Sequence, residues 1–107
     1  MTNISVYKAN DTYRGIRIEG HAGYAEAGYD IVCAGISVLV INFINSVDSF
    51  TKDKFILNQD EERGLIEFKF ENRPSKEALL LFKSFVLGLE DLEKENKDFI
   101  SLDYKEV

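Results

Sequence analysis

His21 and Cys33 are the only histidine and the only cysteine of the chain, and both lie in one glycine-bearing segment, residues 20–37. A thiol and an imidazole are the minimum set for a cysteine nucleophile with its general base. Closeness along the chain is weak evidence by itself, because such a pair acts only where the fold brings the two side chains together. The segment therefore indicates a thiol enzyme as one interpretation, which has to be weighed against structural roles.

The position of Cys33 strengthens that interpretation, because it is predicted to open an apolar helix that continues to about Phe50. At a helix N-terminus, unpaired N–H groups and the macrodipole favour the thiolate form of cysteine. The N–H groups of Cys33 and Ala34, or of a neighbouring residue, would then be available as an oxyanion hole. The glycines that ease turns and close approach around this loop are Gly20, Gly23, Gly28 and Gly35.

Each candidate residue also has a structural alternative. Cys33 can be a small buried hydrophobe at a helix start, and His21 can be a loop residue that caps backbone groups. Asp30 either orients His21 or serves as an N-cap or first-turn acid. Ser37 lies four residues after Cys33, on the same helical face. Its hydroxyl either bonds the sulfur or bonds back to a helix carbonyl.

No metal site and no cofactor are expected. One histidine and one cysteine cannot complete a tetrahedral zinc shell without carboxylates, and the chain has no metal-ligand spacing. A glycine-rich phosphate loop of recognised spacing is also missing from the sequence.

Apolar periodicity predicts a single α+β domain over residues 1–107, in the order β-β-α-β-β-α-β, with two helices packed on a mixed or antiparallel sheet. The first helix is apolar on nearly all sides, so the sheet and either the second helix or a subunit partner should cover it. The predicted elements are strands at 4–8 and 13–19, a helix at 33–50, strands at 55–58 and 65–70, a helix starting at Pro74 and Ser75, and a strand at 99–104.

Charge and composition restrict the partners and the compartment. The formal net charge is −6 and the basic residues are scattered, so nucleic acid is not expected as a direct partner. The acidic surface either attracts a basic protein substrate or only aids solubility. A single cysteine excludes an internal disulfide and favours a reducing cytoplasm. The N-terminus does not resemble a signal peptide, and the apolar run Ile31–Ile44 is too short to span a bilayer, so no membrane association is expected.

Two motifs and the last strand resemble the bacterial ribosomal-processing cysteine proteases. The matching residues are Gly20-His21-Ala22, then Gly28-x-Asp30-Ile31-Val32-Cys33-Ala34-x-x-Ser37, and finally Ile100-x-Leu102-x-Tyr104. The similarity extends over essentially the whole chain in length and element order. Because both motifs and their separation match, the resemblance is specific.

The resemblance implies a homodimeric enzyme that removes a short N-terminal extension from a large-subunit ribosomal protein, cutting after paired phenylalanines. Carried over, Cys33 is the nucleophile, His21 is the general base, and Asp30 and Ser37 are supporting groups. Residues 22–32 would form a mobile cover over the cleft. Two alternatives stay open: a non-catalytic ribosome-assembly binding protein in which Cys33 is structural, and a small hydrolase that acts on esters or thioesters.

Overall fold

The structure is a computed structural model that describes residues 1–20 and 29–107. Within those residues the predicted element order is confirmed. The first helix begins earlier than predicted and the last strand runs further. The elements are β1 (Thr2–Ala9), β2 (Thr12–Glu19), α1 (Tyr29–Phe50), β3 (Phe55–Asp60), β4 (Leu65–Phe70), α2 (Lys76–Glu95) and β5 (Ile100–Glu106).

The five strands form one mixed sheet in the order β3-β4-β2-β1-β5. The pairs β1–β2, β2–β4 and β3–β4 are antiparallel, whereas β5 lies parallel to β1. Consequently β4 and β5 point the same way, and parallel strands need a crossover connection, which α2 supplies. The predicted two-helix, mixed-sheet architecture is confirmed.

Both helices cover the same face of the sheet. Alternate strand residues point to that face, and they include Ile4, Val6, Ile16, Ile18 and Phe68, each at most 1% exposed. Phe43 of α1 stacks on Phe85 of α2 at 4.6 Å between ring centroids and meets Phe68 edge-on at 4.8 Å. These rings join the two helices and the sheet into one core.

Two glycines allow α1 and α2 to pack closely as an antiparallel pair. A Cβ at Gly88 would lie 2.9 Å from Cδ2 of Leu39, and one at Gly35 would lie 3.3 Å from Cδ1 of Leu92. The beginning of α1 is therefore held against the end of α2. This contact fixes where the helix that carries Cys33 starts relative to the sheet.

The segment Ile31–Phe50 of α1 is long and apolar enough to cross a membrane by length and composition, with a mean hydropathy of 1.8. The sequence predicted an apolar run of Ile31–Ile44 that is too short to span a bilayer, and the apolar part of the helix is longer than that run. In this fold about a third of it is buried, through residues such as Ile36 and Val47 that pack in the core. The segment is thus a helix of the two-layer core, and its outer face is exposed.

Hydrogen bonds among Asp53, Ser75 and Ala78 fix the start of α2. Ser75 is the N-cap, and its Oγ accepts from the N–H of Ala78 at 3.1 Å. Asp53 accepts from the N–H of Ser75 at 2.8 Å and from its hydroxyl at 2.5 Å. Partial burial raises the pKa of the Asp53 carboxyl, but these hydrogen bonds outweigh it and the pKa is lowered.

We expect Asp53→Ala to lower the free energy of unfolding at neutral pH by about 1–3 kcal/mol, because hydrogen bonds to a charged group are lost. Asp48→Ala, at an exposed position of α1, is the control and should change stability by less than about 0.5 kcal/mol. Since the folded pKa of Asp53 is lowered, the difference should be lost as the pH falls below 3.8. Denaturant titrations at neutral and acid pH measure both effects. Equal unfolding midpoints of Asp53→Ala and the wild type at neutral pH would contradict a stabilising role of these hydrogen bonds.

Candidate active site

Cys33 lies in the second turn of α1, because the helix begins at Tyr29 and not at Cys33 as predicted. The earlier start has a packing reason. Val32 is 2% exposed and joins the core one turn before Ile36, so the apolar helical pattern extends upstream. The backbone of Asp30 falls in the first turn of α1.

This earlier start corrects two expectations. In a helix that begins at Tyr29, the N–H of Cys33 donates to the carbonyl of Tyr29, and the N–H of Ala34 donates to the carbonyl of Asp30. Those two groups therefore cannot form the oxyanion hole, which leaves the predicted alternative of a neighbouring N–H group. Likewise, the loop predicted over residues 22–32 is helical in its last four residues, 29–32.

The Cys33 thiol remains close to that first turn, because side chains on a helix lean toward its N-terminus. Cys33 is 7% exposed and Ser37, one turn later, is half-buried. Both lie two residues from Gly35, which faces α2, so they occupy the opposite flank of α1. The limited exposure of Cys33 fits a shielded nucleophile and a packed side chain equally, so reactivity has to separate the two roles.

His21 lies outside the described residues, as do Gly23 and Gly28. The residue before it, Gly20, ends β2 with a φ of 87°, and a Cβ there would lie 2.6 Å from the carbonyl oxygen of Met1. Glycine is therefore required at this exit from the sheet. From Gly20 the chain leads through His21 toward the first turn of α1.

The end of β2 and the start of α1 lie at the same end of the molecule. Thr2, at the start of β1, approaches the carbonyl of Gly20 at 3.5 Å and donates its N–H to Phe99 at 2.8 Å. Phe99 follows α2, whose last turns pack against Gly35 of α1. The fold thus brings residues 20 and 29, which flank the segment containing His21, to the end of the sheet where Cys33 lies.

Ion pairs hold this end of the sheet together. Arg17 of β2 bonds Glu19 at 3.0 Å and Glu67 of β4 at 3.4 Å, and Arg63 bonds Glu19 at 3.0 Å. Hydrogen bonds from Arg17, then from Arg63, lower the pKa of the Glu19 carboxyl. The network fastens the β3–β4 turn to the strand that leads to His21. This network was not predicted from the sequence, although the strand alternation puts Arg17 and Glu19 on one face.

The end of the molecule that carries Cys33 is acidic. The β3–β4 turn and the end of α2 both contribute carboxylates there, with only a few basic side chains between them. These acidic residues are Asp60, Glu61, Glu62, Asp91, Glu93, Glu95 and Asp98.

Among the residues that the structure describes, no three His, Cys, Asp or Glu side chains are grouped so as to hold a metal ion. The described part of this site offers a thiol on a helix flank, close to the first turn of α1.

The chain is similar to known proteins in sequence and in structure. The family model described as cysteine protease Prp matches residues 1–101. The ribosomal processing cysteine protease Prp of Staphylococcus aureus is 31% identical over 88 residues, which is 82% of this chain and 83% of that protein.

Two crystal structures of the S. aureus protease have the same fold. The complex with a substrate peptide superposes with a TM-score of 0.90 at 27% identity, covering 98% of this chain and all of that one. The complex with a covalently linked product peptide gives a TM-score of 0.87 at 28% identity, with the same coverage. This chain is therefore a cysteine protease and belongs to the Prp family of ribosomal processing proteases.

Proposed function

We propose that this protease removes the N-terminal extension of a bacterial large-subunit ribosomal protein, with Cys33 as nucleophile and His21 as general base. The observation that carries the proposal is the position of Cys33, the only cysteine, on the helix that the chain enters directly after the segment containing His21. The S. aureus relative, a ribosomal processing protease, has been crystallised with a substrate peptide and with a covalently linked product peptide.

The reaction we propose begins when His21 removes the proton of Cys33 and the sulfur attacks the scissile carbonyl. The positive end of the α1 macrodipole, at the first turn of the helix, would stabilise the oxyanion. His21 then gives the proton to the leaving amine, and a thioester remains on Cys33. Water, activated by His21, hydrolyses the thioester and restores the thiol.

Asp30 and Ser37 are proposed as supporting groups. Asp30, in the first turn of α1, would orient and charge-stabilise the imidazole of His21. Ser37 shares the flank of Cys33 one turn along, so its hydroxyl would donate a hydrogen bond to the sulfur. Ala34, an exposed neighbour on the helix surface, would border the substrate.

We propose cleavage after two adjacent phenylalanines, and a peptide pair tests this specificity. Each buried ring contributes about 1.5–3 kcal/mol, so replacing both by alanine should lower kcat/KM by about 10²–10⁴. The measurement compares initial rates for the Phe-Phe and Ala-Ala peptides at low and high salt. Equal rates would contradict the substrate assignment, even if Cys33 proves to be a nucleophile.

The alternative of a non-catalytic ribosome-assembly binding protein is not carried further, because the chain belongs to a family of cysteine proteases. A structural role of Cys33 is the alternative for this site, and the 7% exposure of its side chain is the observation that favours it. Turnover separates the two roles, because an enzyme in which Cys33 is only structural would still cut the Phe-Phe peptide after Cys33→Ala. For the protease we propose a cytoplasmic location, where ribosomes assemble and a lone thiol stays reduced.

We also propose that the enzyme acts as a homodimer through the outer face of α1. Ile31, Val38 and Ile41 are 75%, 67% and 59% exposed, and they form one stripe along the helix with Ala34. No charged residue occurs in the sequence from Ile31 to Val47. Such a long uncharged stripe fits a second copy of the same helix across a two-fold axis.

Val38→Asp combined with Ile41→Asp should convert the dimer to a monomer, because two charges would be buried without partners. Leu87→Asp is the matched control, since Leu87 is 58% exposed on α2, away from this stripe. Sedimentation velocity measures the mass of each variant. If the double variant keeps the mass of the wild type, the interface lies elsewhere.

A further inference from the structure

The outer edge of β3 has a row of unpaired backbone groups. The N–H of Glu71 donates to the carbonyl of Lys54, which identifies that opposed pair as hydrogen-bonded. Pairing alternates along an antiparallel ladder, so Phe55, Leu57 and Gln59 direct their N–H and carbonyl groups away from β4. Within residues 1–20 and 29–107, no group bonds to them on that side.

Features that normally protect an edge strand are missing from β3. Its pairing with β4 runs from Phe55 to Asp60 without a bulge, and its sequence, Phe-Ile-Leu-Asn-Gln-Asp, contains no proline or lysine. The opposite edge of the sheet differs, because the N–H of Leu102 in β5 donates to a carboxylate oxygen of Glu93 at 2.9 Å. In the described part of the chain, β3 is thus the edge left open.

This open edge lies on the same side of the molecule as Cys33. Glu93 ties the last turns of α2 to β5, whereas Phe43 of α1 meets Phe68 of β4, the neighbour of β3. Cys33 lies about 200° around α1 from Gly35, which contacts α2, so it faces the β3 side. The edge also ends near Cys33, because the turn after Asp60 is tied by Arg63 to the end of β2.

We propose that the segment of the substrate beside the scissile bond adds to β3 as an extra strand. The inference rests on the proposed protease function and concerns how the substrate is held. Backbone bonding to Phe55, Leu57 and Gln59 would keep the segment extended, so that it leads past Cys33. Asp60, Glu61 and Glu62 at the end of the edge then select a substrate with basic residues near the cleaved bond.

A second copy of the chain fits this edge less well than the substrate does. The apolar stripe of α1 already offers a self-complementary surface for a dimer. A second two-fold contact, along β3, would link one dimer to the next and so produce an open-ended chain of dimers instead of a closed assembly. The edge is therefore free in the dimer and available to an extended peptide.

Hydrogen exchange on the Cys33→Ala variant tests the proposal without requiring cleavage. The probe is a synthetic Phe-Phe peptide flanked by lysines. When the protein is saturated with peptide, the amides of Leu57 and Gln59 should exchange about tenfold more slowly. The amides of Ile56 and Asn58 are already paired with β4, so their exchange rates should change little. Unchanged rates at Leu57 and Gln59 would overturn the proposal. So would protection that rises with protein concentration in the absence of peptide, because it would assign the edge to a second copy.

N-methylation along the peptide adds an independent readout. Only alternate N–H groups of an added strand bond the edge. In a series of peptides that each carry one N-methyl group, methylation at these alternate positions should weaken binding by roughly threefold to tenfold, and methylation at the other positions should have little effect. Equal effects of methylation at successive positions of the peptide would contradict edge pairing. Gln59→Pro removes one outward donor at an exposed side chain and should weaken binding more than Gln59→Ala, which keeps that donor.

Cleavage by the wild-type enzyme separates this proposal from the proposed function. If the peptide is cut but neither exchange nor methylation shows the alternating pattern, the protease function stands and edge pairing is wrong. If the peptide protects Leu57 and Gln59 but is not cut, the edge binds peptide and the proposed cleavage after paired phenylalanines is wrong.

Discussion

Replacing Cys33 with alanine should abolish peptide cleavage while leaving the fold intact. Loss of a protease nucleophile lowers kcat on the order of 10⁶-fold, because no other group can form the covalent intermediate. The change removes one sulfur atom from a site that is 7% exposed, and near-isosteric swaps of this kind cost less than about 1.5 kcal/mol. Initial rates on the Phe-Phe peptide and a thermal melt measure the two effects.

Cys33→Ser is the companion variant, since it keeps the size of the side chain and replaces the thiolate by a weak nucleophile. It should be folded and inactive as well. Alkylation of wild-type Cys33 should also proceed at a lower pH than that of free cysteine, because the side chain lies beside the first turn of a helix. Cleavage by Cys33→Ala, or a wild-type thiol that does not react in the folded protein, would remove Cys33 from the mechanism.

Replacing His21 with alanine should lower kcat by about 10²–10⁴ with a smaller effect on KM, because a general base acts in the transition state more than in binding. His21 is the only histidine of the chain, so no other imidazole can take its place. The measurement is a full kinetic comparison of wild type and His21→Ala on the Phe-Phe peptide.

The pH profile distinguishes a base from a structural residue. Wild-type kcat/KM should fall as the pH drops and the imidazole becomes protonated, whereas the residual activity of His21→Ala should not show that limb. A structural histidine would instead change stability and leave the profile in place. Near-wild-type turnover in His21→Ala would show that the base lies elsewhere.

The sequence predicted the architecture well because its apolar patterns are strong. The alternation in β4 and the stripe of Ala78, Phe82, Phe85 and Leu89 in α2 each correspond to one buried face. What could not be predicted was the parallel pairing of β5 with β1, which depends on where α2 returns the chain to the sheet. The prediction of a mixed or antiparallel sheet left that choice open.

The start of α1 was predicted wrongly, at Cys33 and not at Tyr29. The glycine-bearing segment predicted a loop that ends at Cys33, where the apolar helix was predicted to begin. Burial of Val32 one turn before Ile36 extends the helix upstream, which is a tertiary effect that local composition does not reveal. The consequence is chemical, because the oxyanion would meet the first turn of α1 and not the N–H groups of Cys33 and Ala34.

The candidate site was found from residue types and from resemblance, and other features needed the fold. The ion pairs of Arg17 with Glu67 and of Arg63 with Glu19 join segments far apart in sequence. The open edge of β3 depends on the strand order and on which edge Glu93 covers. Neither feature has a local pattern, since both come from which strands become neighbours.

Incubating the enzyme with the extended ribosomal protein of its own organism, followed by mass spectrometry of the products, tests the central claim most directly. The account predicts one cut, directly after the paired phenylalanines, that releases the short N-terminal segment and leaves the rest of the protein whole. The Cys33→Ala variant should leave the substrate uncut. An intact substrate after incubation with the wild type, or the same products with Cys33→Ala, would contradict it.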